Sequence, residues 1–151
     1  MLVVLLLGSL ALVVNLGIQV AALVIVIRFL LRRLDKEGRE PRFVTDVWML
    51  GIVLAMLFAG HLVQFATWAF LFVAVGEFPD LQTAFYHSVV NFTSLGYGDI
   101  VMSPAWRLLG ALEAANGILM FGLTTGSLMA MMSRLFARHA PGGKTPGDRS
   151  A

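Results

Sequence analysis

The chain has 151 residues, of which 58% are hydrophobic and 13% charged, with a mean hydropathy of +0.83 and a formal net charge of +2. So few charges cannot coat a soluble globule of about one domain's length, and the composition points to an integral membrane protein. The absence of cysteine excludes disulfides, thiolate metal sites and cysteine nucleophiles.

The first apolar run, Leu2 to Ile27, is broken only by Ser9, Asn15 and Gln19. It is long enough to cross a bilayer, which takes roughly 20 residues as a helix. No basic segment precedes it and no A-x-A site follows, so it is expected to be a retained helix and not a cleaved leader. A basic segment comes next, with Arg28, Arg32, Arg33, Lys36, Arg39 and Arg42. The second run, Val47 to Val75, carries only His61, Gln64 and Thr67 as polar residues apart from glycine and tryptophan. The third, Ala105 to Leu135, leads into a basic C-terminal segment with Arg134, Arg138, Lys144 and Arg149. Loops rich in lysine and arginine stay in the cytoplasm, so the N-terminus is expected outside and the C-terminus inside. Topology accounts for the basic residues, and no nucleic-acid partner is implied.

Three crossings leave the segment between Glu77 and Pro104 beginning and ending on the outer face. Pro79-Asp80 reads as a helix start with Asp80 as N-cap. The stretch Leu81 to Phe92 then supplies about three turns, roughly 18 Å, enough to descend half a bilayer. The glycine-rich sequence NFTSLGYGDI, Asn91 to Ile100, must climb back out. Lipid cannot satisfy an irregular backbone, so this loop must be buried in protein or face a watery cavity. The match of Asn91-Phe92-Thr93 to a glycosylation site is accidental at such a position.

Ser94-Leu95-Gly96-Tyr97-Gly98-Asp99 resembles the selectivity-filter signature of potassium channels. The surrounding order also resembles that family's two-helix pore: outer helix, pore helix, filter, inner helix. The resemblance implies an all-α membrane protein with three transmembrane helices plus a re-entrant pore helix and filter loop, assembled as a homotetramer in membrane lipid. The expected organisation is an N-terminal helix at 1–33, a basic linker at 34–46, a pore module at 47–138 and a disordered tail at 139–151. Within the pore module the outer helix is expected at 47–76, the pore helix at 80–92, the filter at 93–99 and the inner helix at 104–138. Filter residues would be Thr93 through Asp99, with K⁺ as the permeant ion held at Ser94, Leu95, Gly96 and Tyr97. Gly96 and Gly98 admit backbone angles closed to other residues, which lets successive carbonyls point the same way. Ser94 stands where the family usually has threonine and Leu95 where it has valine, and both changes bear on selectivity.

Tyr86 and His87 occupy positions where the family often has tryptophans, either as packing rings or, for His87, as a pH-sensitive element. The family often places a carboxylate at the position of Val90. Glu113, on the inner helix, is expected behind the pore helix, paired with Ser88 or Asn91. It either supports the filter there or is simply a protonated acid bonded to a neighbouring helix. Gly117 matches the family's gating glycine. Ile118, Phe121, Thr125, Met129 and Met132 recur at helical spacing as the expected cavity wall, with Gly122 and Gly126 leaving the helix bendable. Asn15, Gln19, His61 and Gln64 are expected to hydrogen-bond between helices, and no third ligand suggests a metal. No span carries an arginine ladder, and neither an enzyme constellation nor a cofactor site is present in the sequence. The expected function is a potassium-selective channel subunit. The alternatives are a weakly selective cation channel and a non-conducting regulatory subunit.

Overall fold

In the computed structural model the backbone is described for residues 1–36 and 43–139, and side chains for 1–33 and 44–133. Most of the basic linker and the tail from 140 lie outside the described residues. The described chain is all-helical: α1 (Leu2–Lys36), α2 (Phe43–Ala74), α3 (Leu81–Phe92) and α4 (Arg107–His139). Stretches Leu2–Arg33, Val44–Ala74 and Arg107–Ser133 are each long and apolar enough to cross a membrane. Helices α1 and α2 reach into the expected linker at 34–46, because Leu34, Asp35 and Lys36 contain no helix breaker.

Each boundary near the outer face has a local cause. Helix α2 closes in a Schellman arrangement, with Glu77 N–H donating to the Phe72 carbonyl and Gly76 N–H to that of Val73. Gly76 supplies the left-handed residue at φ +75°, so the helix stops two residues short of the expected 76. Helix α3 starts where the sequence signals it. Asp80 accepts from Thr83 N–H at 2.8 Å and from the Thr83 hydroxyl at 2.8 Å. Helix α4 begins at Arg107 and not at 104, because the amides of Trp106 and Arg107 both turn back onto the Ser103 carbonyl.

Helix α3 is wedged between α2 and α4, while α1 spans the same two helices from another side. Helices α2 and α4 meet each other only slightly, so the flanking elements hold them in register. On α1 the buried positions Val4, Gly8, Ala11, Asn15 and Gln19 recur every three or four residues and continue through half-buried Ala22 and Leu23 to buried Val26, forming one seam. Small residues set the approach along that seam. A Cβ on Gly8 would collide with Leu112 on α4, and one on Gly60 of α2 would lie 3.2 Å from Ala22. Opposite the seam Leu6, Leu10 and Val13 are exposed, as suits a helix solvated by lipid. Phe65, Trp68, Phe72, Phe78 and Phe92 form the aromatic centre of the core around α2 and α3.

Gln19, His61 and Gln64 meet Thr124 of α4 in one hydrogen-bonded ring, whereas the Asn15 side chain, expected to bond between helices, instead donates to the Ala11 carbonyl of its own helix at 2.9 Å and gives the ring only its backbone carbonyl. Gln64 Nε2 donates to the Gln19 Oε1 at 3.1 Å and to the Asn15 carbonyl at 3.1 Å. Gln19 Nε2 donates to Thr124 Oγ1 at 2.9 Å. Thr124 Oγ1 lies 3.1 Å from His61 Nε2, and His61 Nδ1 lies 2.8 Å from Gln64 Oε1. Because Gln64 Oε1 can only accept, His61 donates from Nδ1, and in the neutral ring Nε2 is then the acceptor for the Thr124 hydroxyl. Three helices are thus tied at one depth by groups that have no water to bond instead. Gln64→Leu removes three of these bonds. It should lower unfolding stability in detergent by about 2–4 kcal/mol, at roughly 0.6–1.5 kcal/mol per intramembrane bond, as read from an SDS titration.

Candidate functional site: a half-membrane helix and its return loop

The loop after α3 departs from ordinary turn geometry in a regular way. Ser94, Gly96 and Gly98 have φ of +59°, +58° and +76°, whereas Leu95 and Tyr97 between them do not have positive φ. Left-handed residues therefore alternate with ordinary ones, the first of them, Ser94, at the closure of α3. Glycine takes these angles without penalty, while Ser94 pays for the position. The start of the loop is tied to the end of α3. Ser94 N–H donates to the Asn91 carbonyl, and the amides of Leu95 and Gly96 converge on the Val90 carbonyl at 3.0 and 3.3 Å. The Thr93 hydroxyl donates to the Val89 carbonyl at 2.7 Å and so helps to close the helix.

The far end of the loop is fastened at the outer face. Tyr86 Oη donates to Asp99 Oδ2 at 2.7 Å, joining the second turn of α3 to the loop's last residue. This hydrogen bond holds the exposed Asp99 carboxyl below its usual range. Glu77 adds a strap: its carboxylate accepts from the Ser103 N–H at 2.5 Å and the Ser103 hydroxyl at 2.7 Å. His87 turns the other way and packs between the rings of Phe72 and Phe78, with centroids 5.4 and 4.9 Å away. Between α3, the loop and α4 lies a cleft of about 340 Å³, bordered by Tyr86, Asn91, Gly98 and Arg107.

Behind the loop, Glu113 is fully buried and reaches both partners named from the sequence. Its Oε1 lies 2.5 Å from Ser88 Oγ, and its Oε2 accepts from Asn91 Nδ2 at 2.7 Å. Ser88 Oγ is also 2.9 Å from the Phe65 carbonyl on α2, and Asn91 Nδ2 donates to the Gly110 carbonyl at 2.7 Å. Gly117 lies against the end of α3, where an added Cβ would strike the Phe92 carbonyl. At this point it is a close-approach glycine. Gly122 and Gly126 have open space where a Cβ would stand.

The expected cavity stripe divides. Ile118, Gly122, Thr125 and Met129 are exposed on α4, and Met132 is half-buried. Phe121 leaves the stripe, turning inward with its ring 4.6 Å from that of His61 and 5.8 Å from that of Phe92. Aromatic packing against α2 and α3 accounts for that orientation, so Phe121 belongs to the core of this chain and not to the exposed wall. Three features had escaped the sequence reading. These are the Tyr86–Asp99 bond, the Glu77–Ser103 strap and the place of Thr124 in the polar ring. A second acid, Glu77, ahead of the Asp80 cap, and a threonine beside the expected cavity stripe, were the available signals.

Residues 55–134, just over half of the chain, match the model of the family described as ion channel. The chain belongs to the ion channel family. It is 28% identical over 76 residues to the potassium voltage-gated channel protein Shal of Drosophila melanogaster, covering 50% of this chain and 13% of that protein. It is 29% identical over 97 residues to potassium voltage-gated channel subfamily A member 2 of Xenopus laevis, covering 62% of this chain and 19% of that protein. The chain thus spans less than a fifth of either relative. No solved structure matches it. The match includes α3, the return loop and most of α4, so this ion channel protein carries its family's pore segment within a multi-pass membrane chain.

The Tyr86–Asp99 bond makes a pH prediction. A carboxyl with a depressed folded value contributes stability above its ordinary range, and loses it as pH falls through the depressed value. Tyr86→Phe should move Asp99 up toward the ordinary value of about 4. Carbon NMR of labelled aspartate carboxyls, assigned with Asp99→Asn, would read that shift. An unchanged titration in Tyr86→Phe would show that another group holds Asp99 down.

Proposed function

We propose that four copies of this chain surround one axis and conduct K⁺ passively across the membrane, selecting it with the carbonyls of Ser94, Leu95, Gly96 and Tyr97. The observation that carries this reading is the alternating left-handed backbone at Ser94, Gly96 and Gly98, at the end of a helix long enough to descend only half a bilayer. Such a backbone presents rings of carbonyl oxygen when four copies face one another, and these rings stand in for the hydration shell of a cation. The Ser94 hydroxyl adds a further oxygen on the cavity side. The C-terminal end of α3 at Phe92 brings its partial negative charge toward the same path, and Asp99 raises the local cation concentration at the outer mouth.

Assembly is supported by what a single chain leaves uncovered. Leu95 and Tyr97 are 55% and 67% exposed, large apolar side chains on a polar loop that a neighbouring copy would cover. One loop cannot encircle an ion. The basic residues around 28–42 and beyond 134 support an N-terminus outside and a C-terminus in the cytoplasm. A weakly selective cation channel is a second reading, favoured by Ser94 and Leu95 in place of the family's usual threonine and valine.

Purified protein in planar bilayers should show a reversal potential that follows the K⁺ gradient and ignores Na⁺, while cross-linking in detergent should give a four-fold species. Equal responses to both ions would favour the second reading. A stable monomer or dimer that still conducted K⁺ would overturn the assembly. Gly96→Ala should abolish selective conduction, because alanine at φ +58° costs about 1–2 kcal/mol in each copy.

A further inference from the structure

We propose that Glu113 is held as a neutral carboxylic acid that donates its proton to Ser88, and that in this form it is the positioning residue for the pore helix and the filter. The proposal rests on the channel reading for its functional half, and on proton counting for its chemical half.

Four contacts at hydrogen-bond distance converge on two side chains of α3. Ser88 Oγ lies 2.9 Å from the Phe65 carbonyl and 2.5 Å from Glu113 Oε1. Asn91 Nδ2 lies 2.7 Å from the Gly110 carbonyl and 2.7 Å from Glu113 Oε2. Both backbone carbonyls can only accept, and the Gly110 carbonyl also fixes which atom of the Asn91 amide is nitrogen. The amide has two protons and spends one on each of its acceptors. The serine hydroxyl has a single proton for two oxygens. If it serves the Phe65 carbonyl, the proton in the remaining contact must sit on Glu113 Oε1, with Ser88 Oγ as acceptor. Three protons cannot make four bonds, and the carboxylic acid supplies the fourth.

The surroundings favour the same form. Glu113 and Ser88 are both 0% exposed, and the two partners of the acid are uncharged. An ionised carboxylate in this place would be a bare charge within the membrane with no cation beside it. The other titratable groups on the packed helices are engaged elsewhere: His61 with Gln64 and Thr124, His87 between Phe72 and Phe78, Tyr86 with Asp99. On α4 the nearest basic residue is Arg107, more than a turn closer to the outer face. Through Ser88 the acid joins α4 to α2, and through Asn91 it meets α3 one residue before that helix ends at Phe92. The filter backbone begins two residues later, so this joint sets where the filter stands.

Glutamine has the shape of the neutral acid and keeps both contacts, donating from Nε2 to Ser88 and accepting from Asn91 at Oε1. Glu113→Gln should therefore keep the wild-type tetramer melting temperature and K⁺/Na⁺ permeability ratio. Glu113→Ala, which strands both partners, should lower the ratio about tenfold or more, or dissociate the tetramer. Infrared difference spectra of wild type against Glu113→Gln should show loss of a protonated carboxyl stretch, at neutral and mildly alkaline pH alike, that shifts in heavy water. Loss of a carboxylate band pair instead would overturn the neutral acid. Damage by Glu113→Gln equal to that by Glu113→Ala would overturn the positioning role. The infrared and melting readouts need no current, so they stand even where wild-type protein fails to select K⁺, which counts against the channel reading alone.

Discussion

A polar group inside a membrane has no water to fall back on, and this constraint shapes every element of the chain. It permits long helices, whose backbone groups pair internally, and it forbids an unsupported loop. The return loop from Ser94 to Asp99 is the one described segment at membrane depth that breaks this rule, and the rest of the fold answers to it. Its first amides are taken up by the Asn91 and Val90 carbonyls, and its last residue is held by Tyr86. Helix α3 is short, 12 residues, and it closes at Thr93 where the loop begins.

The same constraint draws the polar side chains that bond between helices into two groups, while Asn15, Thr67, Ser127 and Ser133 bond back onto their own helices. One ties α1, α2 and α4 through Gln19, His61, Gln64 and Thr124; the other ties α2, α3 and α4 through Ser88, Asn91 and Glu113. Apolar contact alone discriminates weakly between helix registers in lipid, because lipid tails are as apolar as leucine. A hydrogen-bonded ring does discriminate, since a one-residue slip would strand each member. Helices α2 and α4 scarcely touch directly, and the two polar joints hold them at a spacing that leaves room for α3. Glycines set the remaining distances, at Gly8 against Leu112 and at Gly117 against the Phe92 carbonyl.

Composition and hydropathy were enough to read the three spans, and the segment from Asp80 to Phe92 was enough to read a short helix of about three turns. Asp80 was legible as a cap because its chemistry is local to four residues. The pairing of Glu113 with Ser88 and Asn91 was legible because a lone acid in a span must find a partner at its own depth. What escaped was side-chain direction. Helical spacing puts Phe121 on the stripe of Ile118 and Thr125, but spacing cannot register the pull of the His61 and Phe92 rings to one side. For a similar reason sequence shows that Gly117 is small and does not show that the Phe92 carbonyl stands against it. The ends of α1, α2 and α4 differed from expectation wherever a cap, a turn or the lack of a breaker decided the boundary.

Ser94 shows how far the scaffold dictates to the loop. Its φ of +59° is the single positive value among non-glycine residues described, and it marks the left-handed position of a Schellman closure of α3, the same closure that ends α2 at Gly76. A strained residue of this kind persists only where its surroundings over-determine it. Here the amide of Ser94 is bound to the Asn91 carbonyl, the next two amides are bound to the Val90 carbonyl, and the helix carrying both is clamped through Ser88 and Asn91 to its neighbours. The backbone angle at the loop's first residue is thus set by the hydrogen bonds to the Asn91 and Val90 carbonyls that close α3. Because that helix is itself held to α2 and α4 through Ser88 and Asn91, residues outside the loop fix where the loop begins.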